Sequence, residues 1–381
     1  MADPSYRVTI DDQPLEAEVM GLLNRVEVRE SESEPTVCAL RFNLSQDGRG
    51  DFAPLDDGLF EPAMRIGLEV QTPGANAVHL FAGYLTHLRP HFETIESNAY
   101  LEVLAMDASV LMNVEERVAS FADLTDADAV EEIFGRYGID VETVATDAAH
   151  EEKRQLLVLR GTDWDMVRRL ARRNGCLCYL EPDPQTGEVT AHIKPRDLDE
   201  TPQADLALLR ETQNLKWVDL QAVLTGPTRA VGAAIDPIAK RIVRGEGEGE
   251  LDPQGEQPLT RAIEDGLKGA GAQGAASLLR DPYPLAAQLA ATATAETDRA
   301  GFVVEARGEV DPALYRGLLR ARRPVLIKGV GRTFVGAYWV RAVRTTIEEG
   351  VVAQTFVAER NALGLTGRET FGQSAEEVPP E

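Results

Sequence analysis

A pattern of three predicted strands occurs twice in this chain, once in the first third and once near the end. Each copy reads as strand, turn, strand, turn, strand, and the second strand of each begins near a Phe-x-Gly sequence. The predicted strands are 64–70, 81–88 and 99–107 in the first copy, and 324–329, 333–343 and 351–359 in the second. Phe81 and Gly83 match Phe334 and Gly336. A chain that encodes one β unit twice is expected to build a symmetric object rather than to enclose one active site.

Further strands surround each copy of the pattern. Alternating apolar and polar residues predict strands over 6–10, 26–29 and 37–44 in the first unit, and over 216–224, 229–234 and 240–243 in the second. Short strands separated by turn residues, without long helices, are typical of an antiparallel barrel or sandwich. We therefore predict a mainly β protein with two similar β domains, at 1–110 and 206–368.

Residues 111–205 have a different pattern, which predicts an α+β insertion between the two β domains. Thr125 is a candidate cap for a helix that ends near Gly138. A second helix begins at Thr162, with Asp165 in the position of a capping-box partner. A predicted hairpin follows over 176–194.

Two segments of the second half carry little predicted β structure. Residues 245–277 are rich in glycine and predict a long flexible loop, whereas residues 284–299 predict a helix. Residues 369–381 form an acidic tail that we expect to be frayed.

Composition excludes several classes of protein. The net charge of −24 argues against binding to nucleic acid or to an anionic membrane, because both need a basic surface. No apolar run approaches the roughly 20 residues that span a bilayer, and the first residues lack the pattern of a secretory signal. Three cysteines without metal-ligand spacing are interpreted as buried, reduced side chains.

Motifs that carry chemistry lack their required context. Gly269–Gly274 matches the dinucleotide pattern GxGxxG, but no apolar strand precedes it. His87 and His91 are four residues apart on a predicted strand, which separates them by about 13 Å, too far to share one metal ion. We therefore predict no catalytic residues, no cofactor and no metal site, and a protein that is not an enzyme.

Four arginines crowd the second predicted helix of the insertion: Arg168, Arg169, Arg172 and Arg173. One interpretation is a solvated helix face, since cations are favoured near a helix C-terminus. The alternative is an ion-pair patch between subunits.

Taken in order, these segments make the chain resemble the phage late control D family, the baseplate hub proteins of contractile tails and injection systems. The segments that carry the resemblance are 80–90, 101–111, 123–138, 161–171, 231–241 and 328–363. The resemblance implies two tube-like β-barrel domains per chain and a homotrimeric ring with pseudo-sixfold symmetry. It also implies a structural hub that joins a sixfold inner tube to a threefold spike and contacts baseplate wedge components.

The same resemblance implies assembly in the bacterial cytoplasm without a signal peptide, as part of a phage tail or tail-like particle. Residues after the second β domain contain no needle-like repeat, so we expect the spike to be a separate chain. Whether the particle is a phage tail or a cell-derived injection system stays open.

Two other functions compete with the hub. A cell-wall carbohydrate-binding module would expose an aromatic platform, but aromatic residues make up only 6% of the chain. A tail-associated lysozyme or peptidase would need an acid–base pair or metal ligands, which the sequence does not provide.

Overall fold

The computed structural model describes residues 5–72, 75–94, 98–146, 157–208, 212–236, 239–272, 274–279, 286–315 and 317–372. The strands of the first β domain are β1 Ser5–Ile10, β2 Gln13–Pro14, β3 Leu23–Ser31, β4 Val37–Asn43, β5 Ser45–Gln46, β6 Phe52–Ala53, β7 Arg65–Gln71, β8 Val78–His91 and β9 Tyr100–Met106. Those of the insertion are β10 Glu116–Phe121, β11 Asp140–Thr143, β12 Leu157–Thr162, β13 Leu177–Pro182 and β14 Val189–Lys194.

The remaining strands are β15 Gln203–Ala207, β16 Leu215–Ala222, β17 Arg229–Asp236, β18 Arg241–Glu246, β19 Gln257–Pro258, β20 Ala276–Leu278, β21 Val304–Val310, β22 Pro324–Lys328, β23 Gly336–Glu348, β24 Val351–Arg360 and β25 Ala362–Leu363. The helices are α1 Ala17–Leu22, α2 Asp126–Gly135, α3 Asp163–Arg173, α4 Leu259–Gly269, α5 Ala286–Gly301 and α6 Gly331–Phe334. A 3-10 helix covers Ala108–Asn113. The protein is thus mainly β, as predicted.

Six strands of each β unit are arranged in the same spatial order. The first unit has the order β3-β4-β9-β8-β7-β1, and the second has β16-β21-β24-β23-β22-β15. When the strands of each unit are counted along the chain, both orders read second, third, sixth, fifth, fourth, first. One pairing differs in direction, because β1 is antiparallel to β7 whereas β15 is parallel to β22. The duplication in the sequence is therefore a duplication of topology.

Two β-bulges recur at matching positions and align the two repeats residue by residue. The bulge that follows Leu23 in β3 corresponds to the bulge that follows Leu215 in β16. The bulge that follows Leu85 in β8 corresponds to the bulge that follows Val340 in β23. Because a bulge shifts the register by one residue, its position fixes which residues of the two repeats are equivalent.

This alignment corrects the predicted equivalence of the two Phe-x-Gly sequences. Phe81 pairs with Leu68 in the middle of its sheet, and Gly83 lies two residues further along β8. Phe334 ends the one-turn helix α6, and Gly336 is the first residue of β23. With the bulges aligned, Gly336 is equivalent to Phe81, so the sequence match is displaced by two residues.

The two repeats form one continuous sheet of 13 strands. They are joined where β3 pairs antiparallel with β23, from Ala342 opposite Ser31 to Glu348 opposite Arg25. Ile347, which lies beyond the bulge of β23, packs into the core of the first repeat. The main chain therefore links the repeats through a full strand pair as well as through side chains.

The insertion folds as its capping residues predict. The Thr125 side chain accepts a hydrogen bond from the Asp128 amide at the start of α2, and Thr162 accepts one from the Asp165 amide at the start of α3. The hairpin of β13 and β14 follows. Trp164 on α3 packs with apolar side chains of α2 and both hairpin strands in a separate core.

Two predictions for the second half were wrong in detail, and one strand was missed. Residues 245–277 are not one loop, because α4 lies within them and buries Leu259 and Ile263. The strands β17 and β18 do not join the large sheet but form a small sheet with β20, against which α5 packs. The strand β21 was not predicted, although it occupies the place that β4 has in the first repeat. Helix α5 matches the predicted helix from residue 286 onward, and residues 284 and 285 lie outside the described part of the chain.

Candidate assembly interface

The junction between the repeats is held by a group of charges on one face of the β3–β23 pair. Glu27 on β3 lies 3.1 Å from Arg344 on β23 and 3.1 Å from Arg25, and it also pairs with Arg29. Burial raises the pKa of Glu27, but the three arginines outweigh that effect and hold it below its usual value. The carboxylate is therefore ionised when the two strands are paired.

A second group of charges, the central ionic cluster, consists of Glu30, Glu181, Arg320 and Arg322. Arg320 donates through Nε to Glu30 at 2.8 Å and through Nη2 to Glu181 at 2.7 Å. Arg322 lies 3.5 Å from Glu30 and donates to the Ser31 carbonyl at 2.9 Å. All four side chains are buried, with Arg320 7% exposed.

The members of the central ionic cluster come from all three parts of the chain. Glu30 belongs to the first repeat, Glu181 to the insertion and Arg320 to the segment that leads into β22. Burial alone would raise the pKa of Glu181, but Arg320 and the neighbouring arginines lower it to about 2. Removal of one partner from a buried ion pair of this kind strongly destabilises the folded protein. The cluster therefore holds the insertion against both repeats.

Arg196 forms another link between the same parts. Its guanidinium lies 2.7 Å from Glu32 and 2.6 Å from Glu359, and the Trp339 indole donates to Glu32 at 3.0 Å. Arg196 follows the last strand of the insertion, whereas Glu32 and Glu359 lie in the first and second repeats. Sequence reasoning missed these buried links because the linked residues are at least 139 residues apart in the chain.

The four arginines of α3 are mostly engaged within the chain. Arg173 is buried and forms an ion pair with Asp126, which makes it unavailable to another subunit. Arg172 pairs with Glu296 on α5 at 3.1 Å, and Arg168 donates to the Ser33 carbonyl at 2.8 Å. Among the described residues, Arg169 contacts the carbonyl of Arg160 at 3.4 Å.

These arginines line a cavity between α3, β13 and α5 that also contains Arg299 and Glu32. Arg173 therefore does not belong to the predicted inter-subunit patch. Any such patch is limited to the outer ends of the other three side chains.

Two of the strand edges in the large sheet that have no neighbour among the described residues lie on β16 and β8. β16 pairs only with β21, and the edge of β8 that faces β7 is covered only up to Tyr84. Large apolar side chains are exposed along both edges, with Phe92 52% and Trp217 41% exposed. Leu88 and Val223 are exposed as well. Exposed apolar residues grouped on unpaired edges are typical of protein interfaces.

Within the described ranges, the side chains that could bind a metal ion are not brought together into a site. No three histidine, cysteine, aspartate or glutamate side chains there lie close enough to hold a metal ion. His91 stacks on Tyr100 and lies 3.1 Å from Glu93. No described helix has the length and apolar character needed to cross a membrane.

The fold of this chain, with its duplicated sheet and insertion, is similar to the fold of phage tail proteins. The tail protein from Neisseria meningitidis MC58 matches with a TM-score of 0.64 at 10% identity, over 95% of this chain and 98% of that protein. The 43 kDa tail protein of prophage MuSo2 from Shewanella oneidensis matches with a TM-score of 0.62 at 12% identity, over 94% and 99%. The E. coli c3393 protein, a component of the type VI secretion system, matches with a TM-score of 0.53 at 13% identity, over 99% and 81%.

The sequence of residues 5–208 matches the family model of the Alg8 N-terminal domain, so the chain belongs to that family. This range covers the first repeat and the insertion. No curated protein matches the sequence significantly.

Proposed function

We propose that this protein is a structural hub at the centre of the baseplate of a contractile tail or injection system, of the late control D kind. In this role it joins a sixfold inner tube to a threefold spike. It acts by position and by binding, not by catalysis.

The duplicated topology is the observation that carries the proposal. A homotrimer in which every chain supplies two similar units presents six similar surfaces to one partner and three identical chains to another. The repeats share the order of six strands and the positions of two bulges, so each chain supplies two units of similar topology. The folds of two phage tail proteins and a type VI secretion component support the same assignment.

The internal ion pairs suit a mechanical role. The central ionic cluster and Arg196 fix the insertion against both repeats, so the three parts move together when force is applied. On this proposal the chain assembles in the bacterial cytoplasm, and its partners are the spike, the inner tube protein and the baseplate wedge components.

The proposal is tested by the native mass of the purified chain, alone and mixed with a trimeric spike protein and a tube protein from neighbouring genes. We expect a species of about three times the 41.5 kDa chain that binds the spike. A chain that stays monomeric with every partner would refute the hub. Retention on purified peptidoglycan by such a monomer would instead favour a carbohydrate-binding module.

A further inference from the structure

Two strand edges, one from each repeat, are paired with each other inside the chain. The edge that is equivalent to each of them, on the opposite repeat, is open. In the second repeat, the edge of β23 that follows its bulge is covered by β3 of the first repeat. The equivalent edge in the first repeat is the part of β8 that follows Leu85, and no described strand covers it. The strand equivalent to β3 is β16, whose outer edge is also unpaired. Each chain therefore has one open donor strand and one open acceptor edge.

We propose that β16 of one chain pairs antiparallel with residues 87–93 of a second copy, in the register of the β3–β23 junction. The contact is head to tail, so it repeats from chain to chain and closes when a ring is complete. The proposal rests on the hub ring of the proposed function and names the strands that hold that ring together.

The matching bulges specify the register. Inside the chain, Val343 lies opposite Glu30 and Thr346 lies opposite Glu27. Transferring these pairs to the equivalent strands places Leu88 opposite Ala222 of the partner copy. It likewise places His91 opposite Asp219.

The charges at the junction have counterparts at the open edges. Glu27 and Arg344 form the ion pair of the internal junction, and their equivalents are Asp219 and Arg89. Asp219 is exposed and has no ion pair within the described residues. Arg89 is exposed and lies 3.5 Å from Glu102, a distance that leaves it able to bind a second carboxylate. The acid is on the donor strand and the base on the acceptor edge in both cases.

The apolar residues at the two edges support the same pairing. Leu88 and Phe92 are exposed on the acceptor edge, and Trp217 and Val223 are exposed on the donor strand or at its end. In this register Leu88 and Phe92 lie opposite Ala222 and Val218 on one face of the joined sheet, the face that Val343 and Ile347 bury at the internal junction, whereas Trp217 and Val223 project from the other face. Burial of Leu88 and Phe92 on that face removes apolar surface from water, which is favourable. Pro90, which is equivalent to Thr345, has no N–H group and limits the number of main-chain hydrogen bonds across the contact.

Disulfide trapping of the full-length protein tests the register. Residues directly opposite on antiparallel strands have Cα atoms about 4.5–5.5 Å apart, within the range that a disulfide spans. We expect the L88C/A222C double variant to form covalent trimers on oxidation. The matched control L88C/Q221C shifts the register by one residue and directs the two side chains to opposite faces, so we expect no trapping. The single variants control for the native cysteines.

The outcomes separate this pairing from the ring itself. Two results would overturn the pairing and leave the ring intact. In the first, a species of trimer mass forms but L88C/A222C does not trap it, and in the second both double variants trap it equally. A monomer at every concentration would overturn the ring and the pairing together.

Charge exchange provides an independent readout. We expect Asp219→Arg to weaken trimer formation about ten-fold or more, and the added change Arg89→Glu to restore most of that loss. Asp140→Arg, at an exposed position on the edge strand β11 of the insertion, is the matched control and should leave assembly unchanged. An equal effect of D219R and D140R, or no recovery in the D219R/R89E double variant, would contradict the pairing.

Discussion

The central ionic cluster predicts a pH-dependent contribution to stability that one substitution should remove. Replacing Glu181 with glutamine keeps the shape of the side chain but removes its charge, so Arg320 retains only Glu30 as a partner. The Glu181 pKa is about 2 in the folded protein, against 4.5 for an unperturbed glutamate. Since each pKa unit corresponds to about 1.4 kcal/mol, the ionised carboxylate stabilises the folded state by about 3 kcal/mol at neutral pH.

The sign of the pH dependence follows from the lower pKa in the folded state. As the pH falls, the unfolded chain binds a proton at Glu181 before the folded protein does, so stability is lost between pH 4.5 and about 2. At pH 3 about 1 kcal/mol of the contribution should remain. We therefore expect the difference in unfolding free energy between the parent and E181Q to shrink from about 3 to about 1 kcal/mol between pH 7 and pH 3.

Urea unfolding followed by tryptophan fluorescence at several pH values measures this difference. Other carboxylates titrate in both proteins, so their effects cancel in the comparison. Glu188→Gln, at an exposed position just before β14, is the control and should match the parent at every pH. A difference between the parent and E181Q that stays constant from pH 7 to pH 3 would refute the reasoning.

Two further predictions concern packing and ion pairing. Gly83→Ala places a methyl group against main-chain atoms of β9, so we expect the free energy of unfolding in urea to fall by about 1–3 kcal/mol. In Gly135→Ala the methyl group meets open space, so the free energy of unfolding should fall by less than about 0.5 kcal/mol. Equal stability of the two variants would contradict the close contact. Arg173→Ala removes the buried ion pair with Asp126 and should cost about 3–5 kcal/mol, seen as a lower Tm. Arg169→Ala should change stability by less than about 0.5 kcal/mol. A Tm for R173A close to that of R169A would show that the buried pair is not needed.

Local rules were sufficient for much of the fold. The caps at Thr125 and Thr162 satisfy amides of their own helices, so the start of each helix depends on neighbouring residues alone. Most strands of the repeats, with β21 as an exception, likewise follow from period-two alternation. Both signals lie within a few residues of sequence, which is why the sequence alone predicts them.

Tertiary context decided the features that sequence reasoning missed. Helix α4 is preceded and followed by glycine-rich sequence, and only its buried Leu259 and Ile263 distinguish it from a loop. The displacement between the two Phe-x-Gly sequences could not be seen without the bulges, because a bulge leaves no reliable mark in the sequence. Glu30 and Arg320 belong to strands and loops that meet only after the repeats pair.

The antiparallel junction of β3 and β23 also has a consequence for how the protein bears load. A pull along the strand direction strains every hydrogen bond of the junction at once, whereas a pull across the strands opens them one after another. Seven consecutive residue pairs, from Ala342 opposite Ser31 to Glu348 opposite Arg25, share the load in the first case. The junction is therefore strongest against tension along its own strands and weakest against forces that peel the repeats apart.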